Sequence, residues 1–530
     1  MIEQIKKAVE IGKGKTLKIE DCKAVAREGT QVKISSQGKK ALNESNDFLQ
    51  QLHEKRLLIY GINTQFGGQV NYIEPALTAS QKDYDSSVRQ RQINLIRSHN
   101  CGIGPEVSED IVRAAMLLRA HCLSLGFSGV RVEVVEKLLA LLENSIHPVV
   151  KRYGSIGASG DLVPLSAIAC AIVGENTPVN LRDGKLPASE ALDKFKIIPL
   201  RPELREGLAL INGTSFMTAA ASLAFYDLER LFGQMLKAVA LSLEGLLVID
   251  SGYDALIHKV KLHTGSQEVN AIMNDFWRGS SLVRKLDQLR KDKGAQKRNA
   301  SDPQEIFLQD CYSVRSIPQG FGTFKENMGR VRQWIESEMN SVNDNPVVDT
   351  KSKRALQGSN FMGYYISQGS DILKMEIAQA SAWLHAILAN MVNERRSRGL
   401  PANLVREPGL YSGFRPIQIA AASLVVQNRK LAVAHQNFMI PTEGDNQDVN
   451  SLGTHAALDL GDAVSNLRYL TAILLLAGAQ AVELRGLDKA GKEARSLVKK
   501  IRQRAAVIDK DENPASSVDA VVQLLKNEEV

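Results

Sequence analysis

Cysteine is scarce in this chain: 530 residues hold five, Cys22, Cys101, Cys122, Cys170 and Cys311. They are odd in number, widely scattered and without paired zinc-ligand spacing. That argues against a disulfide framework or a cysteine metal site and points to reduced thiols in the cytoplasm. Aromatic residues make up only 5%, and strand-like alternation is rare, which argues against an all-β chain and for a mostly helical one. Charge of one sign is also lacking: 66 Lys and Arg against 59 Asp and Glu leave +7, too little over this length to call for an anionic partner. The start, MIEQIKKAVEIGKGK, has no apolar core of signal-peptide length. The most apolar run, Leu470 to Ala479, is too short to span a membrane and sits in an amphipathic pattern bearing Arg468 and Glu483, so it reads as a buried core helix. No membrane partner is expected.

What is present is long helical periodicity. Ser108 is placed to cap a helix through IVRAAMLLRAHCLSL, and VEVVEKLLALLENS reads as its antiparallel partner. A polar insertion near 175–205 has hairpin character. Thr214 is a candidate cap for a helix over about 214–250, and further helices are expected near 324–340, 368–398 and 453–485. Helices of that length want a bundle. The charged stretch 284–301 and the tail after 486 read as exposed or mobile. Lys/Arg runs near 284–299 and 492–504 keep a nucleic-acid-binding helical protein open as an alternative, although acidic residues are interspersed and no aromatic series accompanies them.

The chemistry concentrates in GSIGASGD, where glycines surround Ala158 and Ser159 and admit backbone conformations closed to residues with a β-carbon. The sequence is not a P-loop, because no Gly-Lys-Ser/Thr follows. It is not a nucleophile elbow, because Ser159 lacks a glycine two residues on. A plain glycine-rich turn remains the bland reading. The chemical one is that the Gly160 amide nitrogen attacks the Ala158 carbonyl, closing a five-membered ring. Loss of water there and from Ser159 then leaves an exocyclic methylene, a strong electrophile.

Seven ordered stretches over about four hundred residues carry a broader pattern: YGINTQFG at 60–67, NLIRSHNCGIG at 94–104, GSIGASGDLVPLS at 154–166, EGLALINGTS at 206–215, YSVRSIPQ at 312–319, NSVNDNP at 340–346 and GDNQDVNSLG at 444–453. In these the chain resembles the aromatic amino-acid ammonia-lyases and 2,3-aminomutases, which carry a methylidene-imidazolone (MIO) prosthetic group. The resemblance implies a mainly α fold: a long-helix bundle of the ammonia-lyase type with a smaller, mixed, MIO-bearing N-terminal domain. The corresponding division is 1–205 with the tyrosine and MIO loops, 206–485 as the bundle and 486–530 as a charged helical tail. It further implies a homotetramer whose active sites take residues from more than one subunit, an autocatalytic MIO from Ala158, Ser159 and Gly160, and no metal or dissociable cofactor.

Residue by residue, the resemblance makes Tyr60 the base that removes the β-proton, which requires its phenol to ionise well below about 10 with help from cations or helix N-termini. Arg315 pairs with the substrate carboxylate, and Tyr312 sits beside the amine. Asn212 bonds the ring oxygen or the carboxylate, and Gly67 leaves room for the substrate. Asn446 and Gln447 belong to the substrate site. His99 faces the substrate ring, as in enzymes that recognise a phenol or an imidazole. Gln447, where histidine-specific members place glutamate, tilts the choice to tyrosine. Phenylalanine is disfavoured because a polar group against bare phenyl is costly. GGQVNYI after Tyr60 is similar to an aminomutase loop, so return of the amine at the β-carbon is favoured over release of the aryl acrylate. Histidine and phenylalanine ammonia-lyase and a purely structural subunit are the other readings. The chain departs from the family pattern at Met362, at Leu262 and Ser266 around His263, and at Gln427.

Overall fold

The computed structural model describes residues 8–73, 80–291 and 309–530. It is mainly α, with a few short sheets. The chain divides into two compact units, each assembled from separated stretches. The first comprises Met1–Tyr226, Arg332–Asp371 and Ala434–Gly461; the second comprises Asp227–Val331, Ile372–Val433 and Asp462–Val530. These limits differ from cuts at 205 and 485 because four of the five fall inside long helices. The helix Ser215–Gly245, with 31 residues, is about 46 Å long and outruns one compact unit.

In the first unit the helix Glu109–Leu123 is buried on every side from Val112 onward. It packs against Ile19–Glu28 and Val132–Glu143. Its polar groups are matched inside the unit: the Arg113 guanidinium donates to the Val25, Ala26 and Leu142 carbonyls. Ser108 does precede this helix, but its hydroxyl donates to Asp110 Oδ1 at 2.6 Å and does not accept from the helix backbone. The insertion contains an antiparallel hairpin, Pro178–Leu181 with Gly184–Pro187, which His147–Pro148 joins as a third strand.

The helix Leu162–Ile172 positions the chemistry. From Pro164 to Ile172 it is wholly buried, against the helices Gln81–His99 and Glu206–Ile211. Pro164 lies in the first turn, where a missing N–H costs nothing. Its apolar length anchors the preceding Gly-rich loop in the interior. Thr214 stands directly before the helix Ser215–Gly245 and its carbonyl accepts the Thr218 N–H, but its hydroxyl donates to Glu338 and does not cap the helix backbone.

The second unit is built from long helices in close contact. Gly478 lets one helix approach Ser242 so tightly that an added β-carbon would stand 2.7 Å from its hydroxyl oxygen. Trp277 donates its indole N–H to the Ala240 carbonyl at 2.9 Å. The helix expected at 324 begins at Ile317 instead, because Pro318 occupies a first-turn position that tolerates proline. The tail after 486 is a further correction. Lys492–Arg502 and Ala515–Lys526 are helices whose apolar stripes, Ala494, Leu497, Val498 and Ile501 and then Val521, Val522, Leu524 and Leu525, are buried. Charge on the opposite faces disguised that periodicity. Of the stretch 284–301, Leu286–Lys291 is a short helix with Leu289 buried, and 292–301 lies outside the described residues.

The basic run near 492–504 finds partners within the unit, Arg502 with Glu483 at 2.7 Å and Arg504 with Glu529 at 3.5 Å. Leu470 to Ala479 falls in the helix Gly453–Arg485. By length and composition this helix could cross a membrane, yet 78% of its apolar window is buried inside the fold.

Candidate active site

The loop from Ser155 to Gly160 is held from two sides. Gly160 bridges Gly213 as a parallel pair, and the Asp161 N–H donates to the Gly213 carbonyl at 2.8 Å. Opposite, the Ile156 carbonyl accepts from the Leu452 N–H at 2.9 Å, and the Gly157 carbonyl accepts from the Ser451 hydroxyl at 3.0 Å. Gly160 has φ 74°, and any β-carbon there would strike the Gly213 carbonyl, so glycine is demanded twice over.

Ser159 is the focus of two donors. Asn212 Nδ2 donates to the Ser159 carbonyl oxygen at 2.8 Å, and Gln447 Nε2 donates to its hydroxyl oxygen at 3.1 Å. The Asn212 amide cannot turn over cheaply. Its Oδ1 accepts from the Asn345 N–H at 2.8 Å, and Arg119 holds the Asn212 backbone carbonyl at 2.8 Å. Behind Asn345 lies the fully buried pair of Arg205 and Asp344, 3.0 Å apart, and Arg205 also donates to the Asn345 carbonyl. Ser159 and Asn212 are thus set by a polar scaffold with fixed directions.

Asp161 is a site residue that sequence reasoning missed. Its buried carboxylate accepts the Phe216 and Met217 N–H groups at the start of Ser215–Gly245, and bonds Ser155 and Thr454. Burial nevertheless pushes its carboxyl up to about 6. Its place directly after Ala-Ser-Gly was the available signal.

Tyr60 follows the helix Ser36–Glu54. Its hydroxyl oxygen accepts the Gly67 N–H at 2.9 Å, and its ring meets Phe66 edge-on, 6.4 Å between centroids. The electrostatic expectation for this phenol fails within the chain. Burial, reinforced by the Glu443 carboxylate, raises it above its ordinary value, outweighing the Gly67 N–H and the Arg205 charge that act to lower it. Gly67 has φ 55°, and the space a side chain would take there is filled by the Glu443 carboxylate, so the opening serves a protein group. Glu443 carries no sequence signal. Asn446 bonds inside the same turn, through Glu443, and Gln447 alone of that pair reaches Ser159.

His99 ends the helix Gln81–His99 and lines a cleft of about 810 Å³ with Phe66, Gly68, Arg91, Leu95 and Glu443. Its Nδ1 lies 2.9 Å from the Leu95 carbonyl, which can only accept. The Ser98 hydroxyl also lies 3.1 Å from Nδ1, and the neutral tautomer that donates to Leu95 from Nδ1 is the one that presents Nε2 as an acceptor.

Tyr60, Gly67, His99, Ala158, Ser159, Gly160, Asn212, Asn446 and Gln447 all belong to the first unit. Tyr312 and Arg315 belong to the second. There the Arg315 guanidinium lies 4.8 Å from the Tyr312 ring centroid and bonds Gln309, while Tyr312 is 73% exposed.

The profile of the family described as aromatic amino acid lyase matches residues 17–503. The chain belongs to that family. It is 35% identical over 517 residues to a histidine ammonia-lyase of Geobacillus thermodenitrificans, covering 98% of this chain and 97% of the relative. Among solved structures it resembles the tyrosine aminomutase of Streptomyces globisporus, with 31% identity, a TM-score of 0.91, and 99% and 97% of the two chains covered. It also resembles the phenylalanine aminomutase of Pantoea agglomerans, with 29% identity, a TM-score of 0.91, and 98% and 99% covered. The chain is therefore an enzyme of the aromatic amino acid lyase and aminomutase group. Its residues fit an MIO: Ala158, Ser159 and Gly160 are in sequence, Gly160 lies in a cradle that a β-carbon would fill, and a fixed amide already addresses the Ser159 carbonyl.

Proposed function

We propose that this enzyme removes ammonia from an aromatic L-amino acid whose ring carries a hydrogen-bond donor, tyrosine foremost, and returns the amine at the β-carbon as a 2,3-aminomutase. The observation that carries the chemistry is the double hold on Ser159, with Asn212 on its carbonyl and Gln447 on its hydroxyl oxygen. When formed from Ala158, Ser159 and Gly160, the MIO supplies an electrophile for the substrate amine. Asn212 then stabilises negative charge gathering on the Ser159 carbonyl oxygen, a fixed dipole that needs no reorganisation. Tyr60 takes the β-proton.

Ring preference follows from His99, whose Nε2 accepts a phenol O–H and has nothing to offer a bare phenyl face. Arg315 is the carboxylate partner and Tyr312 the neighbour of the amine. The exposed placement of Tyr312 favours a homotetramer in which a second copy supplies the pair. The five free cysteines suit the reducing cytoplasm. Histidine is the second reading, because an imidazole N–H suits the same acceptor and curated relatives are named histidine ammonia-lyase. The likeness to tyrosine and phenylalanine aminomutases supports the mutase outcome.

Incubation with tyrosine, histidine and phenylalanine in turn, with chromatography for aryl acrylate and β-amino acid, tests ring preference and product together. Consumption of histidine alone overturns the tyrosine reading. Intact mass tests the electrophile: active protein is lighter than its translated sequence by two waters, and Ser159→Ala has full mass and no activity. Activity in a full-weight chain refutes the chemistry.

A further inference from the structure

The stretch 434–452 joins both halves of the candidate site. Gln447 meets Ser159, Ser451 and Leu452 hold the loop at Ile156 and Gly157, and Glu443 fills the space at Gly67 in the Tyr60 loop. Ahead of these points it is thinly packed, with Phe438, Met439 and Ile440 exposed by about half or more. What fixes its beginning is His435. The backbone N–H of His435 donates to Asp371 Oδ2 at 2.9 Å. Its ring nitrogens face two carboxylates, Nδ1 at 3.2 Å from Asp371 Oδ1 and Nε2 at 3.1 Å from Asp459 Oδ2. The aspartates lie on different helices, Tyr364–Val392 and Gly453–Arg485.

A neutral imidazole has one donor, so one nitrogen would set a lone pair against a carboxylate oxygen. Two carboxylates are matched only by the imidazolium, with both N–H groups donating. Arg152, on the strand Lys151–Tyr153, binds the other oxygen of Asp459 at 2.8 Å and so balances the second negative charge. A further titratable neighbour is His455, stacked 6.4 Å from His435, and burial followed by the His435 charge lowers its pKa. One imidazolium therefore serves two carboxylates, and it stands where the stretch begins.

We propose that His435 is a positioning residue: held as an imidazolium between Asp371 and Asp459, it pins the root of 434–452 and thereby sets Gln447 against Ser159 and Glu443 against the Tyr60 loop. Loss of its proton as pH rises turns one attraction into a repulsion, and the stretch loosens. This opposes Tyr60, whose ionised fraction grows with pH. The proposal rests on the reading of Ser159 and Gln447 given above, so its main test does not depend on turnover.

Hydrogen exchange by mass spectrometry on the full-length wild type, normalised for intrinsic rates, should show protection of 440–452 falling about tenfold between about pH 6 and about pH 9, as loss of one charge-assisted hydrogen bond implies. Asp459→Asn should move that fall to lower pH by about one unit, because the imidazolium loses a charge partner. His435→Gln should remove protection at both ends of the range and lower kcat about tenfold, with the thermal transition retained. Protection that stays flat across the range in the wild type, or a midpoint that Asp459→Asn leaves in place, overturns the proposal. A chain that shows the exchange response yet eliminates no ammonia keeps the clamp and refutes the catalytic reading.

Discussion

The two loops that the 434–452 stretch touches are built in opposite ways. The Ser155–Gly160 loop is largely buried, bonded to 213 on one side and 451–452 on the other, and roots in an apolar helix. The loop after Tyr60 is thin. Val70, Tyr72 and Ile73 are exposed, and the reach from 64 to 73 is closed by a Thr64–Ile73 bridge and the Gln65 N–H to the Tyr72 carbonyl. Under the proposed function the first backbone cyclises and has to hold amide and carbonyl in near-attack geometry, whereas the second carries a base over a substrate and has to let that substrate pass. One fold supplies both by giving the first loop a scaffold and withholding it from the second.

Breaking the thin side should have the larger effect. Tyr60→Phe is expected to lose about 10²- to 10⁴-fold in kcat/KM without altering the intact mass. Because burial and Glu443 hold the phenol above its usual value, its ionised fraction grows as pH rises, so wild-type kcat/KM should climb into the alkaline range. Glu443→Gln removes the neighbouring negative charge and should shift that climb to lower pH, as a pH–rate profile will show. An unshifted profile would mean that Glu443 does not reach the phenol.

On the scaffolded side, Asn212→Ala should lower kcat by about 10²- to 10³-fold, the usual cost of one fixed donor at a developing oxyanion. It also strands the buried Asn345 N–H, so a lower thermal midpoint should accompany the loss. The smallest effect concerns Asp161 and is read in stability. With its carboxyl raised from 3.8 to about 6, the folded chain keeps a proton the unfolded chain has released. The resulting stabilisation is complete below 3.8 and vanishes as pH climbs through about 6, at most about 3 kcal/mol. Denaturant titrations of Asp161→Asn should flatten that part of the wild-type profile. A variant curve parallel to the wild type would assign the pH dependence to other groups.

Much of the architecture was legible because long amphipathic repeats leave one solution, a bundle, and because the helices near 109, 132, 215 and 453 carry uninterrupted apolar periods. Legibility failed where charge masked an apolar stripe, as in Lys492–Arg502, and at the start of Ile317–Met339, whose first turn accommodates Pro318. It also failed for backbone groups. The Asn345 N–H that orients Asn212 is a property of position, which no residue type announces.

The sequence by itself determined the ingredients: Ala158, Ser159 and Gly160 in order, glycine where a β-carbon is forbidden, and tyrosine, asparagine and arginine within recognisable motifs. Tertiary structure alone decided their electrical and directional states. Which way the Asn212 amide points, that Tyr60 is raised and that Glu443 fills the gap at Gly67 depend on groups more than a hundred residues away. Hydrogen bonds and charges act over a few ångströms of space, and the chain's order does not state which residues will share that space.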